Sequence, residues 1–223
     1  MATTSTVGSG HAESAHPAHL QHHFVTSEQQ FDAAKMGMWL FLITEILLFS
    51  GMFVAYTVYR VWHPDVFDAA SKLLDWRLGG LNTLVLLASS LTVAMAIHFA
   101  QLNNRKLLVT NLVVTVLLAG VFMVVKYIEY TSKFEHGIFP GAHYASHELA
   151  IPYAPQFFSI YFIMTGIHGV HVLVGMILMT WLAIRAARGH FSSEWYTPVE
   201  LTGLYWHIVD IIWIFLFPLM YLI

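Results

Sequence analysis

The sequence predicts an all-α integral membrane protein in which five transmembrane helices form a bundle. Of its 223 residues, 57% are hydrophobic and 15% aromatic, whereas only 10% are charged. A soluble domain of this length rarely has such a composition. The apolar residues are also concentrated in runs that reach the roughly 20 residues needed to cross about 30 Å of hydrocarbon. Both observations place most of the chain in a lipid bilayer.

Five such runs divide the chain into expected spans at residues 33–62, 78–101, 107–130, 155–187 and 196–222. Pro64 follows the first run, a polar turn at 103–106 separates the second from the third, and Pro198 lies near the start of the fifth. Proline cannot continue a preceding helix but is favoured in the first turn of a new one. We therefore expect one transmembrane domain, residues 28–223, and no separate soluble domain.

The segment before the spans, residues 1–27, is rich in Gly, Ser, Ala and His and has no Lys or Arg. It lacks the charged start and apolar middle of a secretory signal and the arginines of a mitochondrial transit peptide. We expect a disordered tail. Its histidines are able to bind a transition metal loosely, but no fixed ligand spacing accompanies them, which favours a solvated tail. They are His11, His16, His19, His22 and His23.

Charge and cysteine content exclude several functions. The chain has no cysteine, so disulfides, thiolate metal sites and iron–sulfur clusters are ruled out. The formal charge of −3 gives no basic surface for nucleic acid.

Five crossings place the two termini on opposite sides of the membrane. Lys and Arg residues divide equally between the two sides, and discounting Lys126, which lies inside the third span, only weakly favours a cytoplasmic N-terminus.

Five ionisable side chains lie deep inside the predicted spans. Glu45 is in the first span, His168 and His171 are one helical turn apart in the fourth, and His207 and Asp210 have the same spacing in the fifth. Because the bilayer offers no water at that depth, such groups should face other helices or a cofactor rather than lipid.

Two kinds of metal site can be tested by counting these ligands. A haem between helices usually takes axial ligands from opposite faces, but His168 and His171 lie on one helix. A di-iron site in a bundle needs about four carboxylates, and only Glu45 and Asp210 lie at depth. We therefore predict no catalytic residue, no metal ligand and no bound cofactor in this chain. The five side chains are instead expected to pair across helices in a buried polar network.

A further charged pair, Lys126 and Glu129, lies near the end of the third span. Residues three apart on a helix are neighbours, so the spacing predicts a local ion pair.

Three segments carry a resemblance to a known family. They are TGIHGVHVLVG at 165–175, YWHIVDIIWIFLF at 205–217 and MGMWLFLITEILLFSGMFVAY at 36–56. Together they resemble subunit III of the haem–copper oxidases, and the similarity extends over the whole chain after the tail. It implies the five-helix bacterial form, which corresponds to the last five helices of the seven-helix form. It also implies a cytoplasmic N-terminus and an outer C-terminus in the bacterial inner membrane.

The resemblance implies a non-catalytic subunit in aerobic respiration, with all haem and copper held by partner subunits. It implies that the chain packs mainly against subunit I, associates with subunit II and other oxidase subunits, binds phospholipid and supports proton uptake. A larger respiratory supercomplex is a further expected assembly. Glu45 matches the family's carbodiimide-reactive glutamate and is expected to modulate proton movement. The first two helices of the long form, one wall of its lipid cleft, have no counterpart here, so lipid sites on that wall are not carried over.

Alternatives remain at this stage. Within the family that the chain resembles, Glu45 favours the cytochrome c oxidase branch, because the quinol oxidase branch tends to carry aspartate at that position. A quinol oxidase subunit or a nitric-oxide-reductase-associated homologue is the alternative within the family. A small independent proton-coupled transporter, relaying protons through Glu45 and Asp210, is the alternative of another class. A transporter would migrate alone on solubilisation, whereas an oxidase subunit would migrate with haem absorbance.

Overall fold

A computed structural model describes residues 20–138 and 152–223. This part of the chain folds into six helices, and no strand is found in it. Five of the helices, all except α2, are long and apolar enough to cross a membrane, which confirms the predicted fold class. The helices are α1 (Ser27–Trp62), α2 (Pro64–Ser71), α3 (Trp76–Gln101), α4 (Arg105–Glu135), α5 (Ala154–Ala187) and α6 (Thr197–Tyr221).

Polar caps at the helix N-termini explain where several helices begin. Thr26 accepts a hydrogen bond from the Gln29 backbone N–H before α1, and Asp75 accepts from Arg77 before α3. Asn104 caps α4 in the same way. Such side chains satisfy N–H groups that have no partner inside the helix. The predicted turn between α3 and α4 is present, with Asn103 in the left-handed region at φ 56°.

Two helices extend beyond the predicted spans, and one helix was not predicted. Helix α1 begins at Ser27 rather than near residue 33, after the Thr26 cap. Helix α4 continues to Glu135 rather than ending near residue 130, because the charged side chains of its last turns are paired inside the protein. The short helix α2 was not predicted, because eight residues are too few for a clear periodic signal. Pro64 starts it, and Phe67 packs edge-on against Tyr56 and Phe157. The tail histidines His11, His16 and His19 and the connection at 139–151 lie outside the described residues.

Helix α6 is the most enclosed of the spanning helices, and α1 is the least. Half of the most apolar 18-residue stretch of α6 is buried inside the protein, against 11% of the corresponding stretch of α1. Helices α3, α4, α5 and α6 form a four-helix bundle in which α6 contacts α3 and α5, while α1 lies along the α5–α6 side. The interior of the protein is therefore the four-helix bundle, with α1 attached to one flank.

Glycines allow α6 to approach its neighbours closely. A Cβ at Gly175 of α5 would lie 2.5 Å from the Trp206 ring, and one at Gly79 of α3 would lie 2.6 Å from the Phe217 ring. A Cβ at Gly203 of α6 would likewise lie 2.5 Å from the Ile97 side chain. Membrane helices associate by close packing of this kind, since lipid removes the hydrophobic drive that water provides.

We predict that Gly175→Ala destabilises the bundle, because its methyl group would overlap the fully buried Trp206 ring. Overpacking of this kind costs about 1–3 kcal/mol. Gly169→Ala is the matched control on the same helix, since a Cβ there meets nothing within 4 Å. The measurement is the midpoint of thermal unfolding in detergent. A Gly175→Ala protein at least as stable as the Gly169→Ala protein would contradict the packing described here.

Candidate functional site

The structure brings Glu45 of α1 and His171 of α5 together. Glu45 Oε2 lies 2.8 Å from His171 Nε2, and His171 Nδ1 lies 2.8 Å from the Ile167 carbonyl oxygen. The two side chains are 15% and 17% exposed, so most of each is covered by protein. Phe49 packs edge-on against the imidazole, and the Tyr205 hydroxyl donates to the His171 carbonyl at 3.0 Å.

The hydrogen bonds fix the number of protons that this pair carries. A carbonyl oxygen only accepts, so His171 Nδ1 must bear a hydrogen. The 2.8 Å contact between Nε2 and Glu45 Oε2 then requires one more proton, held either by the ring or by the carboxyl group. The pair is therefore either a neutral imidazole with a carboxylic acid or an imidazolium with a carboxylate. The two forms differ only in which of the two atoms, Nε2 or Oε2, carries that hydrogen.

Two apolar cavities lie beside α1, one on each side of this contact. A cavity of about 360 Å³ is lined by His171 and by residues of α1, α5 and α6 that include Phe41, Leu178 and Tyr205. A second of about 340 Å³ lies between α1 and α6, lined by residues such as Ser50 and Phe215. These spaces separate parts of α1 from α5 and α6, while the Leu42, Phe49 and Tyr56 side chains of α1 stay buried.

Hydroxyl groups of α3 face the aromatic and imidazole rings of α6. Ser90 Oγ lies 2.6 Å from His207 Nδ1. Two indole nitrogens of α6 also donate to hydroxyl groups of α3. Trp206 donates to Ser89 at 3.0 Å, and Trp213 donates to Thr83 at 3.1 Å. His207 therefore takes part in an interhelical hydrogen bond, but its partner is Ser90.

The five predicted side chains do not form one directly bonded network. His168 and Asp210 are at most 2% exposed, and their side chains have no hydrogen-bond partner among the described residues. The His168 ring stacks on Trp213 at a centroid distance of 5.2 Å and meets Phe122 edge-on at 5.7 Å. Residues three apart on α5 diverge enough that His171 faces α1, while His168 faces α4 and α6. Sequence spacing cannot determine which neighbour each side chain meets.

The largest polar cluster lies elsewhere, around Glu129 of α4. Its Oε2 lies 2.8 Å from Lys126 Nζ, and its Oε1 lies 3.1 Å from Lys133 Nζ. The Tyr161 hydroxyl of α5 and the Tyr221 hydroxyl of α6 donate to the same Oε1 at 2.9 and 2.7 Å. The sequence predicted a local ion pair between Lys126 and Glu129. In the structure, this pair is part of a buried cluster that joins three helices.

This Glu129 cluster contains one carboxylate and two ammonium groups, all less than 10% exposed, and so carries a net positive charge. Lys126 Nζ also donates to both phenol oxygens, at 3.2 and 2.8 Å. Aromatic rings whose centroids lie 5.0–5.5 Å away provide further stabilisation of the cation. They belong to Tyr130, Tyr161, Trp213 and Tyr221. The cluster's hydrogen bonds and rings replace the water that its charges lose on burial.

One sequence signal would have identified the Glu129 cluster. Lys126, Glu129 and Lys133 continue the helical spacing of the buried Ala119 and Phe122, so they lie on the inward face of α4. Their partners on α5 and α6 carry no comparable signal. Elsewhere in the described ranges, no three His, Cys, Asp or Glu side chains are grouped so as to hold a metal ion.

Comparison with known proteins identifies the family. The family model for cytochrome c oxidase subunit III matches residues 18–223. The chain belongs to the subunit III family of the haem–copper oxidases. The resemblance inferred from the three sequence segments is thereby confirmed, and the chain is a multi-pass membrane subunit of an oxidase complex. Family membership also argues against the independent transporter.

Relatives of this subunit III chain come from both donor classes. The cytochrome c oxidase subunit 3 of Prototheca wickerhamii is 31% identical over 199 residues, which cover 84% of this chain and 68% of the relative. That of Coturnix japonica is 31% identical over 212 residues, covering 90% and 72%. A probable quinol oxidase subunit 3 from Staphylococcus saprophyticus is 31% identical over 189 residues, covering 85% and 88%.

We predict that Glu129→Gln strongly destabilises this subunit, because it leaves two buried ammonium groups without a counter-charge. Removing one partner of a buried ion pair costs roughly 3–5 kcal/mol. The control is Asp68→Asn, which removes the exposed Lys72–Asp68 pair and should cost about 0–1 kcal/mol. The measurement is the free energy of unfolding in a denaturing detergent titration. Equal losses in the two variants would show that the Glu129 cluster is not a stabilising charge network.

Proposed function

We propose that the chain is the accessory, non-redox subunit III of a bacterial terminal oxidase that takes electrons from cytochrome c and reduces oxygen to water. In this proposal it lies in the inner membrane with its N-terminus cytoplasmic. It packs against subunit I, stabilises the complex during turnover and supports proton uptake. The observation that carries the proposal is the 2.8 Å contact between Glu45 Oε2 and His171 Nε2 at the junction between α1 and the four-helix bundle.

The Glu45–His171 pair lies between two other polar contacts that hold α1. Lys35 of α1 pairs with Glu200 of α6 at 3.1 Å near the start of α1. The Tyr56 hydroxyl donates to the Leu219 carbonyl near the other end. In the proposed role, the middle pair fixes α1 and shifts its proton between two atoms as the local field changes. It modulates proton delivery to subunit I without lying on the main pathway.

The cavities beside α1 support lipid binding as part of this function. Their linings are predominantly apolar, and each lies between α1 and the four-helix bundle. Acyl chains of phospholipids fill such spaces in a bilayer without cost to polar groups. In the proposal, bound lipid acts as a filler that keeps α1 in place while its polar contacts set its position.

An apolar stripe on α1 supports contact with partner subunits. Leu40, Leu47, Val54 and Val61 recur every seven residues, and each is at least 61% exposed in this chain. A seven-residue repeat is the spacing by which one helix packs along another. In the proposal subunit I covers such surfaces, with haem and copper held by the partner subunits. Subunit II, other oxidase subunits and a respiratory supercomplex complete the expected assembly.

The electron donor in this proposal is argued from Glu45. Relatives from cytochrome c and quinol oxidases share the same 31% identity with the chain, so overall similarity does not separate them. Glutamate at this position favours cytochrome c as the electron donor, because the quinol oxidase branch of the family tends to carry aspartate there. A quinol oxidase is the alternative, and the donor that reduces the purified complex distinguishes the two.

We predict that Glu45→Gln leaves oxygen reduction largely intact and modestly lowers proton pumping or shortens the turnover lifetime. Glutamine still donates a hydrogen bond to His171 Nε2, but the shared proton is lost. Glu28→Gln is the matched control, because Glu28 is exposed in the first turn of the same helix. The measurements are oxygen consumption and the proton-to-electron ratio in vesicles. Abolished oxygen reduction in a fully assembled, haem-loaded Glu45→Gln complex would make Glu45 an obligatory proton carrier and refute the modulating role.

We also predict that the chain purified alone shows no haem or copper absorbance and no oxidase activity. The reason is the small number of ligands: each ionisable side chain at depth is already paired, stacked or isolated from a second ligand of the right geometry. The measurement is visible absorption of the isolated subunit and of the intact complex. Stoichiometric haem on the isolated chain would overturn the accessory role.

A further inference from the structure

Three buried polar side chains lie on the three helices that meet around Trp213 of α6. Asn82 of α3, His168 of α5 and Asp210 of α6 are each at most 2% exposed. Trp213 contacts His168 and the residue that follows Asn82 in the chain. Its Nε1 donates to Thr83, the neighbour of Asn82, and its ring stacks on His168. Asp210 precedes it by one turn of the same helix.

None of the six polar atoms on Asn82, His168 and Asp210 has a hydrogen-bond partner among the described residues. The nearest candidate groups are already engaged. The Ser90 hydroxyl approaches Asp210, but its hydrogen bond at 2.6 Å is with His207. Buried polar groups in native proteins are paired in more than about 90% of cases. Three such exceptions on the helices that meet around Trp213 therefore call for a common explanation.

The chemistry of these atoms specifies the partner. Asn82 offers both donors and acceptors, Asp210 offers acceptors, and a neutral His168 offers one of each, so the partner must both donate and accept. It must also be small, because this chain covers the three side chains and leaves no path for a lipid or a partner subunit. A cation is disfavoured, since the Lys126 ammonium lies 5.0 Å from the same Trp213 ring and the Glu129 cluster is positive overall.

We propose that Asn82, His168 and Asp210 bind ordered water molecules beside Trp213, and that this water joins α3, α5 and α6. A single water site needs only roughly 10–15 Å³ of space. The waters supply the bonds that the side chains do not make directly. His168 and Asp210 then belong to a buried polar network as their sequence positions suggest, with water as the connecting member. The inference concerns the interior of the chain and does not depend on the electron donor.

Infrared spectroscopy of the intact complex tests the water directly. Water O–H stretching bands that shift in H₂¹⁸O are expected in the wild type, and a subset should be lost in Asn82→Leu. Asp210→Asn keeps the side-chain volume and should move these bands without removing them. Thr110→Val is the control, because its hydroxyl lies on the exposed side of α4 and bonds to its own helix. Identical water bands in wild type and Asn82→Leu would overturn the proposal.

A double-mutant cycle tests whether the side chains are coupled through that water. Asn82→Leu and Asp210→Asn should be non-additive, with a coupling of roughly two- to tenfold in the equilibrium constant for unfolding. The pair Thr110→Val and Asp210→Asn should be additive. Additive behaviour of the first pair would refute the proposal. A density map showing Asn82 bonded directly to Asp210, with no water beside Trp213, would do the same.

Discussion

The lack of hydrogen-bonding groups in the lipid core is the constraint on which this structure depends. A polar side chain on a spanning helix needs its partner inside the protein, because lipid supplies none. Helix α6 meets this requirement through hydroxyls of α3, which accept from its indole nitrogens and contact His207. Helix α4 meets it through the phenols that surround Glu129. These polar contacts add to the close apolar packing that holds the four-helix bundle together.

Helix α1 is held in a different way. Inside the four-helix bundle, glycines bring backbones close together and large aromatic side chains fill the interior. Along α1, apolar cavities alternate with polar contacts at Lys35, Glu45 and Tyr56. The position of α1 thus rests on these directional bonds together with the burial of Leu42, Phe49 and Tyr56. This arrangement suits a subunit whose outermost helix lies among lipids and partner helices while its core stays rigid.

The sequence predicted the fold much better than it predicted the polar contacts. Hydrophobic runs of bilayer length are counted along the chain, so the five spans and the turn at Asn103 were predictable. Pairing depends on which helices become neighbours, which the spacing of residues does not contain. The sequence identified Glu45 as a carboxyl group within a span. That it contacts His171 rather than His168 depends on how α1 packs against α5. Lys126 and Glu129 looked like a local pair because Tyr161 and Tyr221 are far away along the chain.

The composition of the Glu129 cluster has a consequence for how the protein is made. Its carboxylate and both amines reside on α4, which leaves the ribosome well before α6 and the hydroxyl of Tyr221 are synthesised. Until then the charges of α4 have only each other and Tyr161 as partners, so this helix enters the membrane with an incomplete set of hydrogen bonds. Arrival of the last helix completes the set. The Glu129 cluster is therefore complete only after the final transmembrane segment has been synthesised and has packed against α4.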